Sequence, residues 1–268
     1  MELQVVDVAG KRTQVAVGGE GPPLLYLHSA SGESFMWMDL LNGLAVRREV
    51  HAPLFPGFFG SEGLEQIHDI EDLTFHHLAL IDERGWESVD VMGCSLGGWV
   101  ALELAARYPE RVGRLVLASS VGIRLAEVPM ADLFALQLGQ EDKMRELVFH
   151  DPSHPLAKLV IPTFDELDDE QLMAFIQAMA ATAKVGWNPY MHDPRLEPLL
   201  PRITADTLVV WGEDDRIAPL PYGEALAQQI SNARLVTVPE CGHAIWFEKP
   251  QELLAAALEH LGAATAAV

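Results

Sequence analysis

Three side-chain types that together can activate a nucleophile occur in this chain in a set order: a serine at Ser95, an acidic cluster at Glu213, Asp214 and Asp215, and a histidine at His243. A serine hydroxyl is a weak nucleophile at neutral pH, so a base must remove its proton during attack. A carboxylate must hold that base in the correct tautomer and stabilise its cation. The order nucleophile, acid, base points to acyl transfer through a covalent serine intermediate. The spacing around the serine fits the same chemistry. In Gly93-Cys94-Ser95-Leu96-Gly97 the glycines allow a sharp strand-to-helix turn that holds the hydroxyl out, with the Leu96 N–H aimed at charge developing on a substrate oxygen.

Such a turn requires a strand before it and a helix after it, and the local patterns supply both. Ser88 to Met92 reads as a buried strand and Leu96 to Tyr108 as a helix that Pro109 ends. Upstream, Leu3 to Val8 and Thr13 to Val17 alternate as a hairpin, and Pro23 to His28 is a short apolar run suited to a parallel sheet. Met36 to Leu44 and Ile70 to Arg84 read as helices, with Glu49 to Leu54 as a strand between them and Arg114 to Ala118 as a further buried strand. The alternation resumes with strands over Thr207 to Trp211 and Arg234 to Val238 and helices over Tyr222 to Ile230 and Pro250 to Leu261. The expected class is α/β, with a mostly parallel central sheet and helices on both faces. Ala263 to Val268 is expected to fray.

Between residues 122 and 204 the strand pattern stops. Helical stretches over Met130 to Leu138, Glu141 to Phe149 and Asp169 to Lys184 are punctuated by prolines, which implies an inserted helical cap. The expected organisation is a core over 1–121 and 205–268, with the cap over 122–204. Its apolar residues Met130, Phe134, Leu138, Met144, Phe149, Met173, Phe175, Met179, Trp187 and Met191 are candidates for packing the cap, a few of them for facing Ser95.

Composition narrows the partners. Against 39 Asp and Glu there are only 18 Lys and Arg, a net charge of −21, which argues against nucleic acid and anionic membrane. The two cysteines, Cys94 and Cys241, make no disulfide scaffold and read as small buried thiols; the start Met1-Glu2-Leu3-Gln4 lacks the basic and apolar features of a signal peptide. A cytoplasmic protein acting on a small molecule, as monomer or homodimer, is expected. His76, His77, His150, His154 and His192 lack a plausible set of metal partners and read as exposed or cap histidines, so no metal is expected.

Four motifs together resemble the α/β-hydrolase fold family, in the capped branch that holds carboxylesterases, lactonases, haloperoxidase-like enzymes and carbon–carbon bond hydrolases. They are the Gly93 to Gly97 elbow, His28-x-x-x-Gly32, Trp211-Gly212-x-x-Asp215-x-x-x-Pro219, and Cys241-Gly242-His243 ahead of a terminal helix. The resemblance implies a triad of Ser95, Asp215 and His243, selecting Asp215 over its acidic neighbours. It also implies an oxyanion hole from the N–H groups of Leu96 and Ala30, a structural role for His28 beneath that loop, and no cofactor. The chain departs from the family at Ser29, where glycine is usual, and at Phe59, where a second loop glycine is expected.

The activity expected on these grounds is that of a carboxylesterase for small, mostly neutral esters. Carbon–carbon hydrolysis of a ring-cleavage dienoate, or hydrolysis of an enol lactone, is the alternative on the same triad; a ligand-binding receptor with vestigial activity is a third. Carbon–carbon hydrolases tend to carry asparagine before the serine and tryptophan after the histidine, where this chain has Cys94 and Ala244. A dienoate is anionic, so that alternative calls for a basic residue near the site, with Arg124, Lys184 and Arg195 as candidates.

Overall fold

The computed structural model describes residues 1–135 and 139–262. Strands β1 (Glu2–Val8) and β2 (Lys11–Gly18) form the expected hairpin, and β2 pairs antiparallel with β4 (Glu49–Pro53). From β4 onward every pairing is parallel: β4 to β3 (Pro23–Leu27), then β5 (Val89–Cys94), β6 (Val112–Ala118), β7 (Asp206–Gly212) and β8 (Ala233–Val238). The spatial order is β1-β2-β4-β3-β5-β6-β7-β8.

Parallel strands must be covered on both faces, and the two-residue repeat of the side chains shows how. Leu25, Leu27, Val91, Leu115, Leu117, Val209 and Trp211 point into one apolar cluster, which also takes Leu73, Leu80 and Ile81 from α2 (Ile70–Glu83) and Trp99, Val100 and Leu104 from α3 (Leu96–Arg107). Their chain neighbours Leu24, Tyr26, Met92, Val116, Leu208 and Val210 point to the opposite face. There they meet Leu40, Leu41 and Leu44 of α1 (Asp39–Leu44) and Leu253, Ala257 and Leu261 of a terminal helix over Pro250–Leu261.

The cap region holds α4 (Glu141–Val148), the short α5 (Ala157–Val160) and α6 (Asp169–Gly186). Helix α6 starts at a capping box in which Asp168 accepts from the Gln171 N–H and Gln171 returns a bond to the Asp168 N–H. After the cap come α7 (Pro221–Gln229), the short α8 (Ile245–Glu248) and α9, the terminal helix already described over Pro250–Leu261.

Two helical expectations are corrected. The stretch from Met36 becomes helical only at Asp39, because Trp37 has φ +44° and interrupts the repeat. In place of a helix from Met130, a single short turn spans Leu133–Ala135; Leu138 lies outside the described residues, as does the 263–268 tail expected to fray. No helix among the described residues is long and apolar enough to cross a membrane.

Candidate active site

In an open parallel sheet, functional groups gather where strands end at their carboxyl edge. Ser95 follows β5, the loop carrying Ala30 follows β3, Asp215 lies just beyond β7, and His243 lies beyond β8. The elbow at Ser95 is tight. Ser95 has φ +50°, strained for a residue with a side chain, and its N–H donates to Ala118 O at 2.9 Å. Any side chain on Gly93 would place its Cβ 2.3 Å from Gly97 O, and one on Gly97 would sit 2.1 Å from Leu27 O. Both glycines are therefore dictated by backbone crowding. Leu96 is the first residue of α3, a position whose N–H has no intrahelical acceptor.

The three residues singled out from the sequence meet. Ser95 Oγ and His243 Nε2 are 2.9 Å apart, and His243 Nδ1 lies 2.8 Å from Asp215 Oδ2. Asp215 Oδ1 accepts the N–H groups of Ile217 and Ala218, both at 2.9 Å, so the carboxylate is pinned. A carboxylate facing Nδ1 fixes the proton there, which leaves Nε2 to accept from the serine hydroxyl. All three side chains are buried, with Ser95 8% exposed, Asp215 4% and His243 5%. Asp214, the neighbour passed over, pairs instead with His150 at 2.9 Å.

His28 has a supporting place. Its Nε2 accepts the Phe55 N–H at 2.9 Å and its Nδ1 donates to Ser29 O at 2.6 Å, while Phe55 stacks on the ring at 3.8 Å. Burial lowers its pKa to about 4, so the ring is neutral and ties two loops together. His76 and His77 are corrected: they are buried on α2, bonded to Thr13 Oγ1 and Leu73 O respectively.

A cavity of about 100 Å³ opens over Ser95, lined by Ser29, Ala30, Ser31, His243, Ala244, Trp246 and apolar cap residues including Met144, Ile161, Phe175 and Met179. Its cap walls are shared with an apolar chamber of about 410 Å³ that reaches Phe134, Phe164 and Trp187. On the other side Ala30 and Ser31 also line a wider opening of about 690 Å³, rimmed by Phe35, Phe59 and Lys158. Phe59, the departure from the family loop, stacks on Phe35 with centroids 5.0 Å apart at this rim.

Among the cap residues named from sequence, Met144, Phe175 and Met179 face the Ser95 cavity and Phe134 and Trp187 the chamber. Phe149, Met130 and Met191 are buried, whereas Met173 is exposed. None of Arg124, Lys184 and Arg195 lines the cavity or the two spaces beside it. Lys184 instead donates to Leu64 O, and Arg195 pairs with Asp193 and Glu71.

Sequence reasoning missed Glu33, Trp246 and Lys158. The Glu33 carboxyl group is buried beneath the Ala30 loop. The Trp246 ring stands 5.8 Å from His243, and its indole N–H is buried without a partner among the described residues. For Glu33 and Trp246 the one available signal was position, since each falls in or just after a loop that also carries a recognised residue; Lys158, within the short cap helix α5, had no such signal.

Residues 24–257 match the alpha/beta hydrolase family. The chain belongs to this family. Within it, the chain is an α/β-hydrolase of the capped branch and an enzyme of the serine-hydrolase type. It is similar to the 2-hydroxymuconate semialdehyde hydrolase of Pseudomonas putida, 32% identical over 251 residues, which are 88% of this chain and 85% of the relative. It is also similar to a 2-hydroxy-6-oxononadienedioate/2-hydroxy-6-oxononatrienedioate hydrolase of Paraburkholderia phymatum, 28% identical over 95% of this chain and 88% of the relative. Among solved structures, a meta-cleavage product hydrolase from Pseudomonas fluorescens IP01 shares the α/β-hydrolase fold at TM-score 0.80 and 22% identity, covering 96% of this chain and 97% of the other.

These relatives overturn the expectation of a carboxylesterase for small neutral esters, because they are named as hydrolases of 2-hydroxymuconate semialdehyde and of 2-hydroxy-6-oxo dienedioates and trienedioates, none of them a simple neutral ester. Cys94 had counted against carbon–carbon hydrolysis, but its place in the structure removes that objection. Cys94 does not line the cavity; its thiol faces the Tyr26 hydroxyl at 3.4 Å on the far side of the strand.

Proposed function

We propose that this enzyme hydrolyses a carbon–carbon bond in a 2-hydroxy-6-oxo-2,4-dienoate, using Ser95 as nucleophile, His243 as proton carrier and Asp215 as the orienting carboxylate. In this reading Leu96 and Ala30 supply the N–H donors for the oxyanion, residues 122–204 form the cap over a core of 1–121 and 205–268, and no cofactor takes part. The observation that carries the proposal is the unbroken Ser95–His243–Asp215 chain in a protein similar over most of its length to hydrolases named for such substrates.

A carbon leaving group must depart as a stabilised anion. In the 2,6-dioxo tautomer, attack of Ser95 Oγ on the C6 carbonyl passes the serine proton to His243 and gathers charge on the C6 oxygen. Collapse breaks the C5–C6 bond, and its electron pair runs through C4 and C3 onto the 2-oxo group as a dienolate, which takes the proton back at the oxygen. The acyl group left on Ser95 is removed by water that gives its proton to His243, so one water is consumed per bond broken. The apolar wall of Met144, Phe175 and Met179 suits a hydrocarbon substituent on the substrate and excludes bulk water.

The buried free thiols Cys94 and Cys241 accord with a cytoplasmic setting, where thiols stay reduced. The test is direct. The conjugated dienolate of 2-hydroxy-6-oxo-6-phenylhexa-2,4-dienoate absorbs visible light, and cleavage removes that absorbance. Sustained loss of colour with the wild type but not with Ser95→Ala is the expected result; persistence of the colour with both, while the compound binds, would sink the proposal.

A further inference from the structure

Glu33 presents an arrangement that the triad chemistry leaves unexplained. It is a carboxyl group only 3% exposed, directly behind the loop that carries Ala30. Its Oε1 accepts the Ser29 N–H at 2.8 Å and the Tyr26 hydroxyl at 2.9 Å. Its Oε2 accepts the Ser29 hydroxyl at 2.7 Å and the Ser31 hydroxyl at 3.1 Å. Burying a carboxyl group is costly unless such bonds surround it, and a structural role alone would be met more cheaply by an apolar side chain. Three of the four bonds converge on one feature: they hold the residues on either side of Ala30, whose own N–H has no partner among the described residues.

The same carboxyl group reaches the other half of the site. Tyr26, which donates to Glu33, also contacts the thiol of Cys94 at 3.4 Å, and Cys94 is the residue before the nucleophile. One buried group thus links the loop of Ala30 to the strand end that presents Ser95 and Leu96. Where relatives use a glycine after the loop histidine, this chain has Ser29, whose N–H and hydroxyl are both spent on Glu33.

We propose that Glu33 is the positioning residue of the oxyanion hole: by gripping Ser29 and Ser31 it fixes the Ala30 N–H at the distance from Ser95 that a tetrahedral oxyanion requires. A donor preset in this way costs no rearrangement when charge develops, and it acts on the transition state and not on substrate binding. The inference rests on Ser95 being the nucleophile, and it holds whichever carbonyl substrate Ser95 attacks.

The experiment compares wild type, Glu33→Ala, Glu33→Gln and Ser31→Ala in two assays: turnover of the phenyl dienoate, and inhibition by phenylboronic acid, whose tetrahedral serine adduct places an oxygen in the oxyanion hole. Loss of one oxyanion donor costs about 100-fold or more in rate. The expectation for Glu33→Ala is therefore a fall in kcat of about that size with KM within about threefold, and a parallel weakening of the boronic acid. Glu33→Gln keeps the shape and faces hydroxyls that can reverse as acceptors, so it should recover most of both losses. Ser31→Ala removes one tie without stranding a buried carboxyl group and should show a smaller drop of the same pattern, which covers the case in which Glu33→Ala does not fold.

Equal boronic acid binding by wild type and the folded variants, including no binding by any, overturns the role of Glu33. Loss of kcat only in proportion to the unfolded fraction overturns it as well. A wild type that binds the boronic acid yet leaves the dienoate intact refutes the substrate instead, and the boronic acid comparison still decides Glu33.

Discussion

His243 Nδ1 stands 2.8 Å from Asp215 Oδ2, and the other oxygen of that carboxylate is held by two backbone N–H groups, from Ile217 and Ala218. The carboxylate therefore cannot swing away, and it dictates which ring nitrogen carries the proton. Asp215→Asn keeps the acceptor for the two backbone groups but turns an amide donor toward Nδ1, which favours the tautomer with its proton on Nε2. That proton faces Ser95 and blocks the base. We expect kcat to drop by about three to four orders of magnitude while circular dichroism stays unchanged. Kinetics of the purified variant on the dienoate, with the spectrum recorded alongside, check both halves.

The buried histidines set a pH dependence of stability. Burial lowers His28 and His77 to about 4 and His76 to about 2, against ordinary values near 6.5. Between pH 6.5 and 4 the unfolded chain binds protons that the folded chain refuses, so stability must fall as the pH is lowered through that window. Each such group contributes up to about 1.4 kcal/mol per pH unit. Glu33 and Glu103, whose carboxyl groups burial pushes up, work in the opposite sense, and a single-histidine variant separates the effects. Urea titrations at pH 7, 6 and 5 should show a shallower loss for His76→Gln than for wild type; equal slopes would rule out the histidine as the cause.

Those histidines also show where sequence legibility ended. The strand and helix succession was readable because buried parallel strands leave short apolar runs and amphipathic helices a 3.6-residue repeat. That Ser95, Asp215 and His243 would meet was readable because each lies beyond a strand, in an order that the proposed chemistry requires. His76 and His77 were misread as exposed although they share the repeat of Leu73 and Leu80, which places them on the inner face of α2. Glu33 and Lys158 were missed for a different reason. Whether a loop carboxyl group turns inward, or a cap lysine stands at a rim, depends on contacts between segments far apart in the chain, and no local period encodes them.

Glu103 on α3 is fully buried, accepting from Trp99 Nε1 at 3.1 Å and Arg107 Nε at 2.7 Å. Arg107 also reaches Glu71 on α2 and Asp193 beyond the cap helices. This cation ties the helix of the elbow to the chain returning from the cap. Arg107→Met would strand Glu103 as an unpaired buried charge, with an expected loss of about 3 kcal/mol in urea-unfolding stability. Adding Glu103→Gln should restore much of it; a double variant as unstable as the single one would contradict the pairing.

Lys158 is the one lysine or arginine among the described residues lining the Ser95 cavity and the two spaces beside it, and it stands on the opening that Ala30 and Ser31 also border. A dienoate brings a carboxylate, and in a chain of net charge −21 a lone cation at the entrance is where that carboxylate finds attraction. Glu166 and Glu170 share the opening, so the attraction is local and modest. Lys158→Gln should raise KM for the dienoate up to about fivefold at low salt, an exposed charge pair contributing at most about 1 kcal/mol, with kcat unchanged. Salt screens such an interaction, so the difference should shrink as ionic strength rises. Lys184→Gln provides the control, because Lys184 lies away from this opening and donates to Leu64 O. Equal KM values for wild type and Lys158→Gln at low salt would remove Lys158 from substrate recognition.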